Sequence, residues 1–187
     1  MLPVSLLASV FALLAVAPVS AQAGGAAPKP EAKKDSRKEV AQLISEMKKD
    51  TAAKKDDDAI GKIDKLVNEF SNSGPVDKKL IADAVAKNLE LQRLPPEGSK
   101  EQPKIFQTTV VALGAMAENG SRHLMEAFEL RDFKRDTEFR GKMLKNLGST
   151  KDPAAVEFLI KRLVDKEAVI VADTASGTWV LAGAVPA

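Results

Sequence analysis

Apolar side chains recur at the spacing of an α-helix from residue 35 onward. The first set consists of Val40, Leu43, Ile44 and Met47. Positions i, i+3, i+4 and i+7 lie on one face of a helix, so this set predicts an amphipathic helix. Six further sets of this kind follow: Ile60, Ile63, Val67 and Phe70; Leu80, Ile81, Ala84, Val85 and Leu89; Phe106, Val110, Leu113 and Ala117; Leu124, Met125 and Phe128; Phe139, Met143 and Leu147; Val156, Leu159, Ile160 and Leu163. Residues 168–182 are apolar nearly all round and predict one more helix.

Turn-forming residues separate these sets. Glycine and proline occur in residues 71–75 and 93–104, and residues 118–121 have the sequence ENGS. Such residues interrupt helices, so we expect a turn or loop at each place. Pro103 is expected in the first turn of the following helix, where a missing N–H is tolerated. No segment shows the alternation with turn signals that indicates β-hairpins, and the predicted fold class is therefore all-α.

Residues 146–165, NLGSTKDPAAVEFLIKRLVD, contain the signals of a helix hairpin. Gly148 is expected to end the first helix by taking the left-handed conformation. Asp152 can accept hydrogen bonds from the first N–H groups of the second helix, and Pro153 pre-sets its first φ angle. The apolar set that follows is expected to pack back on the preceding helix.

Parts of this hairpin recur upstream. Leu113-Gly114 precedes Leu147-Gly148 by 34 residues. A second set recurs after 35 residues: Leu124, Met125 and Phe128 correspond to Leu159, Ile160 and Leu163. Self-similarity at such a period is typical of stacked helical repeats, in which each unit buries its apolar face against its neighbours.

The motifs of the hairpin also resemble a known family. They are Leu147-Gly148, Asp152-Pro153-Ala154-Ala155-Val156, Leu159-Ile160 and Leu163-Val164-Asp165. Together they resemble a HEAT-like repeat of the short bacterial kind, with the best match over residues 138–166 and a weaker one over 104–130. The resemblance implies an α-solenoid of stacked antiparallel helix hairpins that binds other macromolecules, and it implies no particular reaction. The last predicted helix departs from the pattern, because no second helix follows it.

The chain is expected to have three parts. Residues 1–23 contain a twelve-residue apolar run, too short for the roughly 20 residues of a membrane span, and small residues that fit a signal-peptidase site. We therefore predict a cleaved signal peptide and an exported protein, periplasmic or extracellular, that is not inserted in the membrane after cleavage. An uncleaved anchor is the alternative. Residues 24–34 predict a flexible linker. Residues 35–187 form the helical-repeat domain, divided into divergent N-terminal helices at 35–92 and HEAT-like repeats at 103–187.

Composition and charge narrow the classes of function. The 28 Lys and Arg nearly balance the 26 Asp and Glu, which argues against a nucleic-acid partner. The chain has no cysteine and one histidine, so a zinc site is not expected, and no cofactor is expected either. His123 is interpreted as an ordinary exposed histidine, without an accompanying serine, cysteine or carboxylate. Asp56 to Asp58 lack the alternate spacing of a calcium loop and are expected at a helix N-terminus. No catalytic residue is predicted, and the protein is expected not to be an enzyme.

Candidate partner-binding residues lie on the helix predicted after Pro153. Glu157, Lys161 and Arg162 would form the polar face of this second helix of a hairpin. Phe158 lies about 160° from the centre of the predicted apolar set, at 100° per residue. This ring has two interpretations: it packs against a neighbouring repeat, or it is an exposed anchor for a partner.

Trp179 completes the candidate set, in the last apolar stretch. It either folds inward or forms an open edge for self-association or docking. Three hypotheses for the function follow. The first is a non-catalytic protein-interaction scaffold, the second a helical subunit of a larger envelope assembly that docks through its C-terminal helix, and the third an enzyme on a HEAT-like scaffold.

Overall fold

The computed structural model describes residues 36–130 and 133–163. Every regular element in these ranges is a helix, which confirms the all-α prediction. The helices are α1 Ser36–Ala52, α2 Asp56–Asn72, α3 Pro75–Ala86, a 3-10 helix Lys87–Glu90, α4 Lys104–Ala115, α5 Ala117–Phe128, α6 Thr137–Ser149 and α7 Pro153–Arg162. The predicted signal peptide 1–23, the linker 24–34 and the last apolar stretch 168–182 lie outside the described residues.

Local capping explains where two of these helices begin. The carboxylate of Asp152 accepts a hydrogen bond from the backbone N–H of Ala154 at 2.9 Å, and Pro153 is the first residue of α7, as predicted. Asp136 caps α6 in the same way, with its Oδ1 2.9 Å from the backbone nitrogen of Phe139. The other end of α6 differs from the prediction: Gly148 lies inside α6, and Lys151 takes the left-handed conformation with φ 55°.

The helices pack in two rows. α2, α4 and α6 pack against one another in that order, and α3, α5 and α7 pack beside them in the same order. Each helix of the first row also contacts the next helix in the chain, which belongs to the second row, while α1 covers α2 and part of α3. The buried apolar residues of all seven helices form one cluster between the rows, so the core runs along the described chain.

Buried positions recur at fixed spacings through these rows. The hairpin of α4 and α5 and the hairpin of α6 and α7 are related by a spacing of 34. Ile105, Thr109, Val110, Leu113 and Ser121 correspond to Phe139, Met143, Leu144, Leu147 and Ala155, all buried. The hairpin of α2 and α3 and the hairpin of α4 and α5 are related by a spacing of 43. Ile63, Leu66, Phe70, Ile81, Ala84 and Val85 correspond to Phe106, Thr109, Leu113, Leu124, Ala127 and Phe128, also all buried. The spacings differ because a long connection, residues 91–103, separates the 3-10 helix from α4.

The turn between α4 and α5 corrects the sequence prediction. ENGS, residues 118–121, lies inside α5 instead of forming a turn, and the chain reverses at Ala117, whose φ is 50°. Ala117 was expected in the buried set of α4 but is exposed, because that set ends at the fully buried Met116. Gly120 allows α5 to lie against α4: a Cβ at this position would be 1.9 Å from the carbonyl oxygen of Leu113.

The buried faces of the helices agree with the prediction in part. In α1 the predicted set Val40, Leu43, Ile44 and Met47 is buried throughout. The buried face of α2 consists of Ala59, Ile63, Leu66 and Phe70, so Ile60 and Val67 lie at its margin and are half-buried. This face is rotated because α2 is covered by both α1 and α4. Leu80 of α3, expected in the core, is 45% exposed.

The largest correction concerns α7. Its buried residues are Ala155 and Leu159, with Phe158 packed against the core, whereas Val156 and Ile160 are exposed. The prediction was rotated by about one residue, 100° on the helix. The predicted correspondence of Leu124 with Leu159 at a spacing of 35 was displaced in the same way, because the buried positions of these hairpins recur at 34, which matches Leu124 with Phe158.

Candidate interaction surface

The exposed side of the second row carries two of the predicted partner-binding residues. Glu157 and Lys161 lie one turn apart on α7, with side chains 78% and 68% exposed, and their charged atoms are 2.7 Å apart. The hydrogen bond and the charge of Lys161 lower the pKa of the Glu157 carboxyl below its usual value. Both side chains are accessible to a partner as a charged pair.

The neighbouring helix α5 presents a similar pair. Arg122 and Glu126 are also one turn apart, with their charged atoms at 3.6 Å and side chains more than half exposed. α5 and α7 pack side by side, so two adjacent helices each carry an exposed charged pair. We call the exposed side chains of Arg122, Glu126, Glu157 and Lys161 the charged face.

The other two described candidates, Phe158 and Arg162, pack against the protein itself. The ring of Phe158 meets that of Phe128 edge to face, with centroids 5.6 Å apart and an interplanar angle of 89°. The packing interpretation accounts for this contact, while partner binding by Phe158 stays a prediction. Trp179, the fifth candidate, lies outside the described residues.

Arg162 belongs to a cluster that the sequence did not reveal. Its guanidinium lies 5.0 Å from the Phe128 ring centroid and 4.9 Å from that of Phe158, and it forms an ion pair with Glu129, the residue directly after α5. Arg140 of α6 lies 4.0 Å from the same Phe128 ring and is buried. Two cations therefore contact one aromatic ring. One feature of the sequence could have indicated that Arg140 is buried: at the spacing of 34, it takes the position of the buried Phe106.

His123 differs from its interpretation as an exposed residue without carboxylates. Its side chain is 12% exposed, and its Nε2 lies 2.8 Å from Oδ1 of Asp83 on α3. Its Nδ1 lies 3.6 Å from Oε2 of Glu126, and Arg122 reaches the same Asp83 oxygen at 3.3 Å. This polar cluster joins α3 to α5. Sequence spacing did not reveal it because Asp83 and His123 are 40 residues apart.

Asp56 begins α2 as predicted, and three aspartates occupy the first turn of this helix. Its carboxylate pairs with Arg93 at 3.0 Å, and Arg93 also donates to the carbonyl oxygen of Thr51 at 2.6 Å. Within the described part of the chain, no three His, Asp or Glu side chains converge in a way that could hold a metal ion.

A groove of about 730 Å³ lies beside the connection between the 3-10 helix and α4. Its lining residues are Leu89, Leu91, Gln92, Arg93, Leu94, Pro95, Gln102, Phe106 and Phe133. Arg93 is bound to Asp56 and Thr51, and the remaining lining combines apolar side chains with Gln92 and Gln102. The sequence predicted a loop here without indicating a groove, since Phe133 reaches it from beyond α5.

Comparison with protein-family models, with curated proteins and with solved structures found no match. In residues 36–130 and 133–163, none of the helices combines the length and the apolar character that crossing a bilayer requires.

Proposed function

We propose that the protein is a HEAT-like α-solenoid that acts as a non-catalytic scaffold for binding another protein. Three observations support the solenoid: the two rows of helices, the recurrence of buried positions at 34 residues, and the left-handed residues Ala117 and Lys151 in equivalent turns. In such an array each hairpin buries its apolar face against its neighbours and leaves an extended outer surface free for partners.

The charged face is the observation that carries the binding proposal. It presents both charge signs in a fixed order on two adjacent helices, and its side chains are largely exposed. Charges at the rim of an interface contribute mainly to specificity and to the rate of association. A partner with complementary charges would therefore recognise the order of charges, while Phe158 and Arg162 attach α7 to α5 through the Phe128 ring.

A capture experiment with charge variants tests the proposal. The purified protein is immobilised and exposed to the envelope and secreted fractions of its source cells, and bound proteins are quantified by mass spectrometry. Lys161→Glu introduces a like-charge pair, while the double variant Glu157→Lys/Lys161→Glu restores an ion pair within α7 but inverts the order of charges. Lys48→Glu, at an exposed position of α1, is the matched control.

We expect a partner that is retained by the native protein and by Lys48→Glu, and that is lost with both variants of α7. Loss with Lys161→Glu but not with the double variant would indicate an effect on helix stability instead of recognition. If the same proteins bind to every variant, the charged face is not the binding surface and the proposal fails.

The proposal includes export. A signal peptide at residues 1–23 would place the scaffold in the periplasm or outside the cell. The mass of the protein isolated from its source cells tests this, because cleavage would leave Gln22 or Gly24 as the first residue. A mass that includes Met1 would support the uncleaved anchor.

A further inference from the structure

The last described helix leaves an apolar face uncovered. Val156 and Ile160 lie one turn apart on α7 and are 37% and 54% exposed. Leu163, directly after α7 and on the same side, is half-buried. We call Val156 and Ile160 the end face.

The equivalent positions of the earlier hairpins show what this side of a second-row helix meets. Ile160 corresponds to Glu126 of α5 at the spacing of 34, and Glu126 corresponds to Asp83 of α3 at 43. Asp83 contacts the following second-row helix through His123 and Arg122. Arg122 and Glu126, the residues of α5 equivalent to Val156 and Ile160, contact α3 or their own helix and stay more than half exposed, so the end face lies on the outer side of the second row.

The chemistry of this side changes at α7. Asp83 and Glu126 are charged and meet charged or polar groups, whereas the corresponding residue of α7 is isoleucine. Val156 likewise stands where α5 has Arg122. Burial of apolar side chains against another apolar surface lowers the free energy. The end face therefore fits an apolar neighbour and not a helix face that carries charges.

The residues that follow α7 have this character. Residues 174–187 contain no charged side chain and include Trp179, Val180 and Leu181. They are connected to α7 through residues 164–173, and attachment to the same chain gives them an effective concentration on the order of millimolar at this face. A second copy of the protein would need a comparable concentration in solution to compete for the end face.

We propose that residues 164–187 dock on the end face and cover this outer side of α7. In this arrangement the C-terminal segment shields Val156 and Ile160 within the same molecule instead of serving as a contact for another subunit. The inference rests on the observed equivalence of α3, α5 and α7 and does not require the binding of a protein partner.

The fluorescence of Trp179 tests the proposal, because the chain contains one tryptophan and no tyrosine. In the full chain we expect a blue-shifted emission and shielding from acrylamide, both independent of protein concentration. Ile160→Asp should shift the emission to the red and raise the quenching constant to that of the urea-unfolded protein. Val111→Asp, at a position of α4 that is 60% exposed, is the control and should leave both unchanged.

Each other outcome overturns the proposal. If the native emission and quenching equal those of the unfolded chain, residues 164–187 do not shield Trp179. If Trp179 is shielded in native protein and in Ile160→Asp alike, it packs elsewhere. If shielding appears only as the concentration and the mass from light scattering rise together, a second copy covers the face. Circular dichroism monitors the helices, and Ile160→Ser replaces Ile160→Asp if the latter loses them.

Discussion

The hairpins α4–α5 and α6–α7 are 34 residues apart in the chain, yet their two helices meet through different contacts. In the first hairpin Gly120 has no room for a side chain against the backbone of Leu113. In the second, the corresponding residue is Ala154, whose side chain is exposed. Because alanine carries the Cβ that Gly120 cannot, α7 cannot rest on α6 as closely as α5 rests on α4. Equivalent positions in the two hairpins thus permit different distances.

The inner positions of the hairpins differ as well. Phe106, Leu124 and Phe128 of the first correspond to Arg140, Phe158 and Arg162 of the second. The first hairpin fills its interior with apolar side chains, while the second places two guanidinium groups on the Phe128 ring that the first supplies. A buried phenylalanine is worth about 1.5–3 kcal/mol, and a cation on a ring about 0.5–2 kcal/mol. The spacing of 34 therefore preserves buried positions and not their chemistry, and α7 is held more weakly than α5.

The largest effect is expected at Gly120. The change Gly120→Ala places a Cβ in the carbonyl group of Leu113, so α4 and α5 must move apart. We expect the free energy of unfolding to fall by about 3 kcal/mol, at the upper end of overpacking effects. Urea denaturation followed by circular dichroism measures it.

Gly61→Ala is the matched control for this prediction. Gly61 lies in α2, and a Cβ there meets no atom within 4 Å. The change should raise stability by roughly 0.5–1 kcal/mol, because alanine favours a helix over glycine. Equal effects of the two changes would show that α4 and α5 do not approach each other as closely as described.

The second prediction concerns Phe158, which attaches α7 to α5. The change Phe158→Ala removes the ring from Phe128 and from Arg162, and we expect a loss of about 2–3 kcal/mol in the free energy of unfolding, below the usual cost for a fully buried ring. Phe158→Leu restores the residue type of the equivalent Leu124 and should cost less than about 1.5 kcal/mol.

Partner capture distinguishes the two interpretations of this ring. If Phe158→Ala leaves the stability unchanged but abolishes binding of a captured protein, the ring is an anchor and its packing on Phe128 is of no consequence. If both variants lower stability in proportion to the apolar area that they remove, and Phe158→Leu still binds, packing is its role.

Helix formation could be predicted from the sequence wherever one face of a helix is buried and the other is solvated. The set from Val40 to Met47 is the clearest case, because α1 is covered mainly by one neighbour. For α2 the prediction of a helix was right but the buried face was displaced, since two neighbours share it. Periodicity locates a face only to within about one residue, or 100°. In α7 that error reversed the roles of Phe158 and Ile160.

The turns and the polar clusters could not be obtained from local patterns. ENGS is typical of a turn, but Gly120 is there because α4 lies against it, a contact that no local sequence encodes. Asp83 and His123 approach each other only because successive second-row helices pack side by side. For the candidate surface, exposure of Glu157 and Lys161 followed from their polarity, whereas packing of Arg162 on two rings depended on the fold.

The smallest expected effect is a dependence on pH that separates the start of the described chain from its end. Lys62 of α2 donates a hydrogen bond to Glu46 of α1 at 2.6 Å, whereas Glu157 and Lys161 belong to the same helix. The bond from Lys62 lowers the pKa of Glu46 below its ordinary value of 4.5. A carboxyl whose pKa is lowered in the folded state contributes stability that is fully present above its ordinary pKa. This stability is lost as the pH falls through the pKa of the folded state.

The melting temperature of the native protein should therefore decline between about pH 5 and pH 3. Glu46→Gln should reduce that decline more than Glu157→Gln does, because only Glu46 connects two helices. Thermal denaturation of the three proteins in this range measures the difference; if the two variants lose the same acid sensitivity, the contact between α1 and α2 does not depend on this ion pair.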